Sequence, residues 1–112
     1  MTKLSFAKKK KEFHNKLEPW KILIVDDEDS VHNITKLALK HYNINNKSLA
    51  FVSAFSGKEA INKITEHPDT ALILLDVVME EDDAGLKVVD FIRNHLNNPL
   101  VRIILRTGQA GQ

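Results

Sequence analysis

The sequence reads Lys21-Ile22-Leu23-Ile24-Val25-Asp26-Asp27 between residues 21 and 27, an apolar run that stops at two acids. Apolar residues at consecutive rather than alternate positions are typical of a strand that is covered on both faces of a parallel sheet. Three later runs have the same character. We predict them to be strands at residues 49–54, 71–75 and 100–105.

Helical patterns separate the four predicted strands. In the first helix, the residues expected to face the sheet are Val31, Ile34, Ala38 and Tyr42. In the third helix, the corresponding residues are Leu86, Val89, Ile92 and Leu96. The second helix opens with Ser56 and Glu59 at the spacing of a capping box. The alternation β-α-β-α-β-α-β predicts an α/β fold with right-handed crossovers and a doubly wound parallel sheet.

Composition and charge exclude several classes of protein. The 112 residues include no cysteine, so neither a disulfide framework nor a thiolate metal site is possible. The apolar runs are too short to span a bilayer, so we expect a cytoplasmic protein that does not bind membranes. Lysines are concentrated in residues 1–19, which we predict to be a basic extension ahead of a single domain at 20–112. That domain is mildly acidic, so we expect no nucleic-acid binding by it.

Polar residues follow three of the predicted strands. Asp26 and Asp27 end the first strand, Asp76 ends the third, and Thr107 lies just beyond the fourth. In a doubly wound sheet, ligands bind outside the carboxyl ends of the strands. Converging carboxylates repel one another unless a cation lies between them, and oxygen ligands suit Mg²⁺. A carboxylate beside the metal can attack a phosphoryl donor and form an acyl phosphate, so the layout suggests a metal-assisted phosphoryl acceptor.

Other interpretations of these residues are weaker or purely structural. The sequence contains no Gly-rich nucleotide-binding loop and no Gly-x-Ser-x-Gly nucleophile motif. Asp26 and Asp27 could each simply cap a helix. Asp76 is harder to explain in that way, because a carboxylate that ends a five-residue apolar run must be tolerated at the rim of a core.

Three segments resemble the motif blocks of response-regulator receiver domains. They are Ile24-Val25-Asp26-Asp27-Glu28, Leu74-Leu75-Asp76-Val77-Val78-Met79 and Ile104-Leu105-Arg106-Thr107-Gly108. The resemblance implies a flavodoxin-like sheet of order 2-1-3-4(-5). It also implies that Asp76 accepts a phosphoryl group from a histidine kinase or phosphotransfer protein. Mg²⁺ would be held by Asp26, Asp27, Asp76 and the backbone carbonyl of Val78, and Thr107 would be the switch hydroxyl.

The chain departs from the family pattern in three respects, one of which is a loop to Gly85 that is one residue longer than usual. Glu80 stands where receivers usually have proline, and the sequence ends at Gln112, ahead of the family's fifth strand, its preceding lysine and its last helix. We therefore expect a truncated receiver whose fourth strand is an edge that favours self-association. The motif wording is similar to that of receivers that precede HD-GYP-type regions, which implies an output such as cyclic-di-GMP hydrolysis by a domain not present here.

Two rival functions remain open. A pseudo-receiver would use the same fold for protein interaction without phosphorylation. A phosphatase of haloacid-dehalogenase type would want a second aspartate two residues after the nucleophile, where Val78 stands. We predict surface or turn positions for all five histidines, and we expect Arg102 and Arg106 to face an interface or the missing part of the domain.

Overall fold

The structure, a computed structural model, describes residues 18–79 and 83–106. Its strands are β1 (Trp20–Val25), β2 (Leu49–Ala54), β3 (Thr70–Asp76) and β4 (Arg102–Arg106). Its helices are α1 (Asp29–Leu39), α2 (Gly57–Glu66) and α3 (Ala84–Asp90), the last continued by a π-helical segment (Phe91–His95). The four strands lie within two residues of their predicted bounds. Most of the predicted extension at residues 1–19 falls outside the described residues.

The strands form one parallel sheet of order β2-β1-β3-β4, which confirms the predicted flavodoxin-like topology. The register aligns the strand ends: Val25 pairs with both Ala54 and Leu75, and Leu75 pairs with Leu105. Because parallel strands in register all end at one edge, the residues that follow them are brought to the same place.

The core lies between one face of the sheet and helices α2 and α3. Leu23, Leu75 and Ile64 are each only 1% exposed, and Ile73 and Ile92 are fully buried. Full burial of an aliphatic side chain of this size stabilises a fold by about 1.5–3 kcal/mol. This cluster therefore contributes much of the free energy that fixes the strand ends.

The predicted inner face of α1 is wrong in most of its members. Ile34 is 66% exposed and Tyr42 is 58% exposed, while the buried residue of this helix is His32, at 1%. Apolar residues occur around much of α1, so hydrophobic spacing alone does not identify the packed face. A histidine can take that face because both of its ring nitrogens have partners, as described below.

The capping box of α2 is confirmed in the structure. Ser56 is the N-cap residue, and its hydroxyl accepts a hydrogen bond from the Glu59 backbone N–H at 3.0 Å. The Glu59 carboxylate accepts in return from the N–H of Phe55 at 2.9 Å, one residue before the cap. These bonds fix the start of α2 directly after β2.

The third helix also packs differently from its prediction at one position. Leu86 is 51% exposed, whereas Val88 and Ile92 are buried and Val89 packs against the same cluster. Gly85 lies next to the end of β3, and its N–H donates to the carbonyl of Val77 at 2.9 Å. A Cβ atom on Gly85 would lie 2.6 Å from both the Asp76 carbonyl oxygen and the Val77 Cα, so α3 approaches this loop more closely than a side chain would permit.

In the described sheet, β4 has a neighbour only on its β3 side. Ile104 is 54% exposed and Leu105 is 42% exposed on this strand. Self-association through this edge stays a prediction, which sedimentation velocity would test.

We predict that Gly85→Ala destabilises the protein by about 1–3 kcal/mol, because the new methyl group must push backbone atoms apart. The sign is informative, since alanine is otherwise favoured over glycine in helices by about 0.5–1 kcal/mol. Urea denaturation measures the change, with the exposed Leu86→Ala on the same helix as control. A Gly85→Ala variant as stable as the parent would contradict the close approach.

Candidate functional site

Three carboxylates meet at the carboxyl edge of the sheet. Asp26, Asp27 and Asp76 each offer an oxygen atom, and these three atoms lie within 4.8 Å of one another. Asp26 is buried, Asp76 is partly buried and Asp27 is exposed. The two strands that carry them, β1 and β3, are direct neighbours in the sheet.

Asp26 is held at every polar atom. Its backbone N–H donates to the Ala54 carbonyl at 3.1 Å, which ties it to β2. Its Oδ1 accepts from the Glu28 N–H at 2.9 Å, and its Oδ2 accepts from the Arg106 guanidinium at 2.7 Å. The Asp26–Glu28 bond closes a local turn before α1, but it does not cap that helix, whose N-cap residue is Glu28 and which has no side-chain cap bond. The buried carboxylate is thus compensated by both backbone and charge.

Arg106 is predicted to face an interface or the missing part of the domain, but its guanidinium instead contacts Asp26. Its Nη1 lies 2.7 Å from Asp26 Oδ2, while its own side chain is 49% exposed. The two residues are 80 positions apart, and Arg106 pairs in register with Asp76 on β3. Because Asp26 follows β1, and β3 lies between β1 and β4, the pair of Arg106 and Asp26 spans the end of β3.

His32 supplies the remaining contact of Asp26, and its burial makes the surface prediction wrong for this histidine. Its Nε2 lies 2.8 Å from the Asp26 carbonyl oxygen and its Nδ1 lies 3.0 Å from the Ser53 hydroxyl. Because a carbonyl oxygen only accepts, Nε2 carries the donated proton, and Nδ1 of a neutral ring accepts from Ser53. The ring also packs on Phe55, with centroids 4.2 Å apart. His32 therefore connects α1, β1 and β2 beneath the acidic cluster.

Asp76 lies in a setting that disfavours its negative charge. Burial raises the pKa of Asp76 above its ordinary value, and the neighbouring Asp26 and Asp27 carboxylates raise it further. A hydrogen bond from the Val78 N–H to Asp76 Oδ1, at 3.2 Å, acts in the opposite direction, as does the charge of Arg106. A cation placed among the three carboxylates would favour their ionised forms.

The donor set fits Mg²⁺, because the cluster offers hard carboxylate oxygens and its exposed side leaves room for water or a phosphoryl group. The predicted metal-binding role of the Val78 carbonyl stays a prediction. The predicted switch residue Thr107, and Glu80 in the loop after β3, lie outside the described residues.

A parallel sheet of order 2-1-3-4 with helices on its faces defines the flavodoxin-like class of α/β proteins, and the acidic cluster lies where that class binds ligands. Within this class, the family model for the response regulator receiver domain matches residues 22–112, and the chain belongs to that family. Receiver domains are signalling modules of two-component systems. They bind Mg²⁺ at an acidic pocket and are generally not enzymes.

Two curated relatives show where such domains occur. The chain is 50% identical over 95 residues to 3'3'-cGAMP-specific phosphodiesterase 2 of Vibrio cholerae serotype O1. That match covers 85% of the chain but 18% of the relative. The chain is also 34% identical over 82 residues to the transcriptional regulatory protein SrrA of Staphylococcus aureus, covering 73% of the chain and 31% of SrrA. The chain therefore spans a minor part of each relative's length.

Solved structures agree on the fold. A chain of the CheX-CheY-BeF3-Mg²⁺ complex from Borrelia burgdorferi superposes with a TM-score of 0.56 at 27% identity, covering 78% of this chain and 60% of that one. A chain of the complex between the P1 domain of CheA3 and CheY6 from R. sphaeroides superposes with a TM-score of 0.52 at 18% identity, covering 84% and 87%. Over the part of the chain that the structure describes, no helix is long and apolar enough to cross a membrane.

We predict that His32→Leu destabilises the protein by about 2–4 kcal/mol, because it leaves the buried Asp26 carbonyl and Ser53 hydroxyl without these partners. The same change should weaken Mg²⁺ binding by the folded protein, since the position of Asp26 is no longer fixed. Thermal unfolding and a Mg²⁺ titration measure the two effects, with the exposed His41→Leu as control. His32→Gln, which retains a donor, should recover part of both. Equal stability and equal Mg²⁺ affinity for His32→Leu and His41→Leu would refute the assigned role.

Proposed function

We propose that this receiver accepts a phosphoryl group on Asp76 from a phosphorylated histidine kinase, with Mg²⁺ held by Asp26, Asp27 and Asp76. The observation that carries the proposal is the convergence of three carboxylate oxygens within 4.8 Å at the carboxyl edge of the sheet. An acidic cluster alone would be weak support, but here it coincides with the ligand-binding edge of a receiver fold.

The surroundings of the three carboxylates favour Asp76 as the nucleophile. Both oxygens of Asp26 already accept hydrogen bonds, and its side chain is only 3% exposed, which suits a fixed ligand. Asp27 is exposed at the rim and is free to turn toward a cation. Asp76 ends β3, where it pairs in register with Arg106. Its carboxylate is partly buried and its pKa is raised, so its negative charge is disfavoured until a metal ion binds beside it.

Phosphoryl transfer then needs few groups from the protein. An oxygen of the Asp76 carboxylate attacks the phosphorus atom, the P–N bond of phosphohistidine breaks, and the imidazole leaves with the electron pair of that bond. When bound, Mg²⁺ offsets the negative charge that accumulates between the carboxylates and the phosphoryl oxygens. The Val78 N–H holds Asp76 Oδ1, which helps to orient the carboxylate for attack.

Acetyl phosphate with Mg²⁺ should add one phosphoryl group to the chain, and Asp76→Asn should abolish the addition, because an amide cannot form the acyl phosphate. Intact mass spectrometry measures the gain, with Asp83→Asn, an exposed aspartate outside the cluster, as control. A folded parent that gains no mass would instead favour the phosphorylation-independent pseudo-receiver.

The kinase partner needs a surface close to the acidic cluster, and α1 offers one. Ile34 is 66% exposed and Leu37 is 65% exposed, and they stand three positions apart on one face of the helix that starts two residues after Asp27. Exposed apolar residues grouped beside a functional site are typical of protein docking surfaces. We include this α1 surface, Ile34 and Leu37, in the proposal as the contact for the kinase.

Ile34→Asp should lower phosphotransfer from a phosphorylated histidine kinase by about five-fold or more, because a charge replaces an apolar anchor of the interface. Phosphorylation by acetyl phosphate should stay unchanged, since that small donor needs no docking surface. The matched control is Ile44→Asp, at an isoleucine that is 52% exposed but lies in the turn before β2. Equal loss with both donors would contradict a docking role.

The output of the whole protein is proposed from its relatives. The similarity to a cGAMP-specific phosphodiesterase supports a cyclic-dinucleotide output, such as cyclic-di-GMP hydrolysis, in a domain that this sequence does not contain. The cytoplasmic location and the absence of nucleic-acid binding stay predictions.

A further inference from the structure

Arg106 places a fixed positive charge within the acidic cluster. Its Nη1 donates to Asp26 Oδ2 at 2.7 Å, a distance typical of a charge-assisted hydrogen bond. The carboxylate of this pair is 3% exposed and the arginine side chain is 49% exposed. Asp26 is therefore fixed within the protein, whereas Arg106 approaches it from the solvent side.

We propose that Arg106 is an intramolecular cation that competes with Mg²⁺ for Asp26 and so sets the metal affinity of the receiver. The inference rests on the metal site of the proposed function and adds a residue that determines how tightly this site binds.

Both carboxylate oxygens of Asp26 already accept a hydrogen bond. Oδ1 accepts from the Glu28 N–H and Oδ2 accepts from Arg106, so a cation that draws on Asp26 must share or displace one of the two. The Glu28 N–H belongs to the backbone turn between β1 and α1 and cannot leave without distorting that turn. Arg106 has a long, half-exposed side chain, so it is the partner that can withdraw.

The Arg106 side chain extends from the end of β4 to Asp26. Neighbouring strands lie about 4.8 Å apart, so the Arg106 and Asp26 side chains together bridge two strand intervals, roughly 10 Å, between β4 and the end of β1. The pair spans the end of β3, where Asp76 is the register partner of Arg106. The guanidinium therefore occupies the Asp26 side of the acidic cluster, and its charge also acts on Asp76.

The charge of Arg106 also affects how strongly the cluster attracts a cation. With Arg106 in place, one of the three carboxylates already has a counter-ion, which lowers the attraction of the cluster for a cation. Without Arg106, an oxygen of Asp26 is released and the cluster gains a full negative charge. Both changes favour Mg²⁺, so removal of this arginine should strengthen metal binding rather than weaken it.

The test is a titration of the chain with MgCl₂, followed by the amide NMR shifts of residues around the cluster. Arg106→Gln should lower the Mg²⁺ dissociation constant by about three- to ten-fold, the range expected for loss of a partly exposed competing ion pair. Arg102→Gln is the matched control, because it removes the same charge from the other end of the same strand. Its dissociation constant should stay within about two-fold of the parent. Arg106→Lys, which keeps the charge but loses the planar fork, should fall between the parent and Arg106→Gln.

Each outcome decides the proposal. Weaker or unchanged Mg²⁺ binding by a folded Arg106→Gln overturns it, and so does an equal gain for Arg102→Gln, which would show a general charge effect. If Arg106→Gln does not fold, Arg106→Lys decides on the same criterion. Failure of the parent and all variants to bind Mg²⁺ would overturn the proposed metal site itself. Binding by the parent that Asp76→Asn weakens, without any effect of Arg106, would leave that site standing and refute only the role of Arg106.

Discussion

The domain must hold like charges close together at the carboxyl ends of two neighbouring parallel strands, and the rest of its structure depends on this constraint. Parallel pairing of β1 with β3 aligns their carboxyl ends, so Asp26, Asp27 and Asp76 cannot avoid one another while the sheet is intact. Their repulsion is unfavourable for folding, and the buried core between the sheet and helices α2 and α3 offsets it. The protein therefore uses the stability of its core to hold together charges that a cation can then bind.

The contacts of the buried Asp26 show how the acidic cluster is kept in place. A buried carboxylate without partners would take up a proton or turn out to solvent. Here the residue is fixed by backbone bonds to β2 and to the following turn, by His32 beneath it and by Arg106 above it. These contacts come from β2, α1 and β4, so the position of the Asp26 side chain depends on elements from both sides of β1 in the sheet. The exposed Asp27 and the partly buried Asp76 are less enclosed, which suits the phosphoryl acceptor site proposed above.

Much of this could be predicted from the sequence, because the relevant signals are local. Consecutive apolar residues identified the four strands, and the alternation with helices identified the topology. The three carboxylates were found because Asp76 and the pair Asp26-Asp27 each follow an apolar run, and a parallel sheet gathers such positions at one edge. The capping box of α2 was found for a similar reason, since Ser56 and Glu59 lie three residues apart. The structural signals that succeeded all depend on short spacings.

The predictions that were wrong concern residues whose partners are distant in the sequence. His32 looks like a surface residue in a helix pattern, and only its two partners on other strands make burial favourable. Arg106 appears in the sequence as an interruption of an apolar strand, and its partner lies 80 positions away. Spacing could not identify the packed face of α1 either, because apolar residues lie around much of that helix and a polar residue takes the buried place. Polar residues that depend on distant partners are therefore the ones that sequence patterns misplace.

The two faces of the sheet are also built for different purposes. On the face covered by α2 and α3 lies the buried core cluster, and Gly85 brings the helix against the β3 loop without room for a methyl group. On the opposite face, Val31 and Thr35 of α1 stand beside Ile24 and Leu74 around a cavity of about 210 Å³, next to exposed apolar residues of α1 and β4. Asp26 is connected to this open face twice, through Arg106 at the edge of the cavity and through His32 of α1. A change in the ligands of Asp26 would therefore alter contacts that reach the open face, which gives the acidic cluster a physical route to the α1 surface proposed above as the kinase contact.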